Sequence, residues 1–198
     1  MKSEKAQDLP AIHTPYGSDY LTKLSQPDVE RELVHERHVT LNGFVRSDGL
    51  FDIEAELTDH KTYPFPSDFR GEVTPDLPVH HMILRITITN ERVITAAETI
   101  TITGPYAVCP KANKVFHELV GLKIAPGWRR QVQKAIGGRH GCTHITELLG
   151  PVATIAYQTL YGQEARERRV DQNFSDAEKQ KTRSQLHNTC VGYADDLV

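Results

Sequence analysis

Between residues 35 and 59 apolar and polar positions alternate with a period of two, the mark of a strand that buries one face. Residues 37–46 run to a turn at Ser47-Asp48-Gly49. The return run puts Phe51, Ile53, Ala55 and Leu57 in one phase with polar residues between them, which predicts a hairpin. Residues 79–89 and 93–103 are β-branched and alternating and meet at Asn90-Glu91-Arg92, which predicts a second hairpin at the centre of the sheet. The intervening residues 62–78 carry Pro64, Pro66, Pro75 and Pro78 and read as a loop.

Beyond Gly104-Pro105 the period lengthens. Val115, Phe116, Leu119 and Val120 fall on one side of a helix over residues 111–120, and a short amphipathic helix over 128–136 stops at Gly137-Gly138. The glycine-rich turn 137–141 then delivers Cys142 to a helix start, where Thr143 is the expected cap and Ile145, Leu148, Leu149, Val152 and Ile155 form the apolar stripe. Pro151 lacks an N–H and clashes with the carbonyl four residues back, which predicts a kink or a restart before a segment ending near Tyr161-Gly162. Strand runs precede helical runs, so the fold class is α+β: two hairpins form one antiparallel sheet of at least four strands, with the helices of residues 111–162 on one face. Residues 1–34 read as an N-terminal arm, 35–162 as one domain and 163–198 as a polar C-terminal extension, with a trailing helix over 165–186 as one arrangement of it.

With 198 residues, 38% of them hydrophobic, the chain holds enough apolar side chains for one core. A net charge of −3 gives no basic footprint, so nucleic acid is not an expected partner. No apolar run approaches the length that crosses a bilayer, and the polar start lacks a signal-peptide core, so a cytoplasmic protein without membrane partners is expected. Cys109, Cys142 and Cys190 are odd in number and widely spaced, which argues against a disulfide framework. Tyr16, Tyr20, Phe174 and Tyr193 in the long terminal segments predict a homo-oligomer, most simply a dimer.

Reactive side chains gather at element ends. The first hairpin delivers Asp59, His60 and Lys61 at its close, and the second opens on His80-His81, which point to opposite faces of a strand. Cys109 and Cys142 each sit at a helix start, where free amides favour a thiolate, and His140 and His144 flank Cys142. Glu147, three residues after His144, is placed to orient that ring.

Four of these stretches, residues 46–61, Val79-His80-His81-Met82, Val108-Cys109-Pro110 and residues 137–148, together resemble the bacterial DUF2889 family over about residues 35–162. The family pattern at the second stretch is usually His-Asp-Met, and here His81 replaces the Asp. The resemblance implies that Asp59, Lys61, His80, Cys109, Cys142, Thr143 and His144 act together. The layout of residues 79–160 is also similar to the NifU-like iron–sulfur scaffold fold, which would gather His80, Cys109 and Cys142 or His144 around one point.

Two functions are compatible with this set. One is an enzyme of aromatic or acyl catabolism that uses no organic cofactor and cleaves a small acid by lyase-type proton transfer. In it His80 is the base, Asp59 positions Lys61 as an electrostatic clamp, His144 is a second acid, Cys142 is a candidate nucleophile, and Arg46, His81, Cys109 and Thr143 contact substrate. The other is a metal or iron–sulfur carrier in which His80, Cys109, Cys142 and His144 hold zinc or iron. The Rossmann fingerprint, Walker loop, Gly-x-Ser-x-Gly elbow and zincin helix are all missing from the sequence, which leaves nucleotide chemistry and the common hydrolase motifs without a signal.

Overall fold

The computed structural model describes residues 28–171, Val191 and Ala194, with side chains through Glu167. The trailing-helix expectation past Asp171, Cys190 and the four terminal aromatic residues lie outside the described residues. The chain divides at Leu33/Val34, and the fold and the site both belong to the unit that starts at Val34.

The expected α+β architecture is present. Strands β1 (His35–Val45), β2 (Phe51–Lys61), β5 (His80–Ile88) and β6 (Ile94–Thr103) form one sheet in the order β1-β2-β5-β6. Every neighbouring pair is antiparallel. Both predicted hairpins form: Arg46 N–H bonds the Leu50 carbonyl across the first turn at 2.9 Å, and Gly49 supplies the left-handed φ of +81° that the turn needs. The Pro-rich stretch departs from expectation. It holds a small hairpin of its own, β3 (Phe65–Ser67) with β4 (Gly71–Val73), because Pro66 falls in a two-stranded edge where a missing donor is tolerated.

The helical layer covers one face. A 3-10 segment, Cys109–Leu119, lies on β6 where a regular helix was expected over 111–120. Helix α1 (Trp128–Ile136) packs on that segment, and α2 (Thr143–Asp171) packs on β1, β2 and β5. Between the layers sit Ile53, Leu57, Leu84, Ile86, Phe116, Ile136, Ile145 and Val152, all fully buried. Each of these side chains contributes about 1.5–3 kcal/mol on burial, so this sandwich carries most of the stability. Helix α2 neither restarts nor stops at Pro151, which lies inside it, and the packed stripe Ile145, Leu148, Leu149, Val152 and Ala156 holds it continuous. Where α2 crosses β1 the approach is close: a Cβ on Gly43 would lie 1.8 Å from Thr159 Oγ1, so only glycine fits beneath the helix. No helix among the described residues is long and apolar enough to cross a membrane.

Candidate functional site

The inward phase of β2 runs Phe51, Ile53, Ala55, Leu57 and then Asp59, so the alternation that builds the core ends by driving a carboxylate into it. Asp59 is fully buried. The sheet register sets Asp59 opposite Arg37 on β1 and opposite His80 on β5, so the three side chains form a row across neighbouring strands. Arg37 donates from Nε to Asp59 Oδ1 at 2.7 Å and from Nη2 to Oδ2 at 2.8 Å, a two-pronged charge-assisted contact. Its remaining Nη1 donates to Glu147 Oε2 on α2 at 2.8 Å, and His35 Nε2 lies 3.4 Å from Asp59 Oδ1.

His80 completes the row. Its Nδ1 lies 2.9 Å from Asp59 Oδ2, and its ring meets that of His144, on the first turn of α2, with centroids 3.7 Å apart and a 32° tilt. Burial alone would raise the Asp59 carboxyl, but the hydrogen bonds and charge of Arg37, with His80 and His35, outweigh it, so its pKa lies below the ordinary 3.8. Asp59 is therefore an ionised acceptor. His80 is held below the ordinary imidazole value of 6.5, first by burial and then by the His144 ring, against the pull of Asp59. His144 is lowered first by burial and then by the Arg37 charge. A neutral His80 beside a carboxylate that can only accept must carry its proton on Nδ1, which leaves a lone pair on Nε2.

Other candidate residues are placed differently. Lys61 shares the strand with Asp59, but its Nζ lies 3.1 Å from the Tyr63 hydroxyl and over the Tyr63 and Phe65 rings, and Arg37 takes the place beside the carboxylate. His81 faces the opposite side of the sheet, with Nε2 2.6 Å from Glu56 Oε1. Arg46 pairs with Asp48 and Asp52 at the hairpin turn. Asp52 and Asp59 stand seven positions apart along the strand, on the order of 23 Å. Cys109 packs against Gly104 beyond β6, where a Cβ would lie 3.0 Å from its Sγ. The Thr146 amide bonds the Cys142 carbonyl at 2.9 Å, so Cys142 takes the cap position and the exposed Thr143 is the first helical residue. Cys142 Sγ lies 3.9 Å from His144 Nδ1 and 3.7 Å from Met82 Sδ. His140 is exposed, and the Glu147 carboxylate expected to orient His144 receives Arg37.

Two contributors to the Asp59 cluster escaped the sequence reading: Arg37 and His35. The phase of the strand carried a signal for the first, because Arg37 shares parity with Leu41 on the inward side and a charge there needs a buried partner. A groove of about 740 Å³ between α1 and the start of α2 is lined by Trp128, Val132, Ile136, Thr146 and Glu147. It meets the Asp59 row through Glu147, which receives Arg37.

The fold and site together describe an α+β domain with a buried carboxylate–imidazole pair at the open end of its sheet. The chain belongs to the family described as "Protein of unknown function (DUF2889)", which matches residues 35–158. No curated protein and no solved structure matches it.

Proposed function

We propose that this chain is an acid/base enzyme that needs no organic cofactor and acts on a small acid by lyase-type proton transfer, with His80 as the proton-carrying group. The observation that carries the reading is the Asp59–His80 contact of 2.9 Å, made by a carboxylate that Arg37 grips from both prongs. Such a carboxylate fixes the ring and its tautomer and stabilises the imidazolium once it forms. His80 Nε2 would take a proton from the substrate. The electron pair released forms the new double bond as the leaving group departs, and His80 returns the proton to that group. The reading includes aromatic or acyl catabolism, a cytoplasmic setting and a homodimer. Its test is turnover of a panel of aromatic and acyl acids by wild-type protein and by His80→Gln, with circular dichroism to confirm the fold. A substrate turned over equally by both proteins would sink it.

A second reading, a metal carrier, is favoured by one observation: a donor atom from each of Asp59, His80 and His144 lies within 4.8 Å of the other two. Two imidazoles and a carboxylate suit iron or zinc. Both Asp59 oxygens already receive Arg37, however, and a cation there would face a fixed guanidinium. The donor set therefore fits a metal only if Arg37 moves away. Metal bound stoichiometrically as purified, and lost to a chelator together with a change in the His80 ring resonances, would favour the carrier over the enzyme.

A further inference from the structure

The geometry points to a soft-metal site, for one copper(I) ion, formed by Cys142 Sγ, Met82 Sδ and His144 Nδ1. The donors come from two distant parts of the chain: Met82 is on the inward face of β5, while Cys142 caps α2 and His144 is on its first turn. A metal–sulfur bond of about 2.3 Å and a metal–nitrogen bond of about 2.0 Å in a trigonal arrangement space two sulfurs roughly 4.0 Å apart and a sulfur and a nitrogen roughly 3.7 Å apart. The observed spacings are 3.7 Å for Cys142 to Met82 and 3.9 Å for Cys142 to His144. Both spacings from the Cys142 sulfur are within a few tenths of an ångström of those values.

The chemistry of the donors selects the ion. Thiolate, thioether and imidazole together suit copper(I), whereas a thioether is a poor ligand for magnesium, calcium or manganese. Binding releases the Cys142 thiol proton to solvent, and the thiolate, the Met82 sulfur and the His144 lone pair make the three bonds with no change in oxidation state. Met82 is 1% exposed while Cys142 is half-buried, so the ion would enter past the thiol and come to rest against the core. The site uses neither that carboxylate nor His80 and shares His144 alone with the Asp59 row.

The test is competition for copper(I) against bicinchoninate, under anaerobic conditions, with the full-length protein. Wild type should withdraw one equivalent and show the near-ultraviolet thiolate-to-copper band, and the Cys109→Ser/Cys190→Ser double variant should do the same. Cys142→Ser should lose binding, and Met82→Leu, which nearly conserves volume, should weaken it at least about tenfold while sparing His80-dependent turnover. Failure of wild type to compete, an undiminished affinity in Met82→Leu, or loss of binding in the Cys109→Ser/Cys190→Ser variant would each overturn the site. Should Met82→Leu not fold, Cys142→Ser decides. The metal-carrier reading is tested separately, since Met82→Leu removes none of its donors.

Discussion

The first hairpin carries an arginine–aspartate cluster at each end, and the two differ in everything but composition. At the turn, Arg46 reaches Asp48 at 2.6 Å and Asp52 at 3.2 Å, with half of Asp48 in solvent and Asp52 also held by the Thr87 hydroxyl. At the open end, Arg37 grips Asp59, whose side chain is 1% exposed and also holds an imidazole. The cause is parity. Asp52 and Asp59 are an odd number of residues apart on one strand, so one lies on the outer face of the sheet and the other faces the core. An exposed pair gains little from its partner, whereas a buried carboxylate depends on every bond it makes. Similar residues thus give a turn clip at one end and a buried carboxylate–imidazole pair at the other.

The sharpest way to separate the two ends is catalysis. His80→Gln should lower turnover of any substrate found by about 10²–10⁴-fold with the fold intact, while Arg46→Met should leave it unchanged. Next is stability. Arg37→Met leaves Asp59 buried without its main partner and should cost about 2–3 kcal/mol in urea unfolding, below the range for a fully buried pair because a third of Arg37 stays in water. Arg46→Met should not move the midpoint. Equal losses from the two substitutions would erase the distinction drawn here.

Between the ends, Gly43→Ala would drive a methyl into Thr159 and should destabilise by about 1–3 kcal/mol, read from the same unfolding curves. A neutral result would show that α2 rides higher over β1 than the structure has it. The smallest expected effect is in pH. His80 and His144 lie below 6.5 when folded, so the stability they carry is complete above that pH and is lost as pH falls through their lower folded values. Asp59 adds a second loss, beginning as pH drops below 3.8, where the unfolded chain takes up protons that the folded carboxylate refuses. The His80→Gln/His144→Gln variant should therefore show a flatter thermal midpoint than wild type as pH falls below 6.5. Parallel curves would contradict the burial of those rings.

Much of this was legible in the sequence. The alternation through Phe51, Ile53, Ala55 and Leu57, the turn at Asp48-Gly49 and the β-branched arms after Val79 fix both hairpins, because a period of two and the conformational freedom of glycine act locally. Asp59 and His80 could be singled out because they stand at the ends of those periods. Thr143 was misplaced as a cap by one residue, a shift that depends on which carbonyl accepts the first helical bond.

What only the tertiary structure decided is partnership. Arg37 and Asp59 are 22 residues apart, Arg37 and Glu147 are 110, and Cys142 and Met82 are 60. Strand register joins the first pair, and the seating of α2 on the sheet joins the others. The same seating keeps the helix whole through Pro151. Periodicity assigns each side chain a face, but which charge or sulfur it meets there is set by packing between segments far apart in the chain, and no local pattern records that.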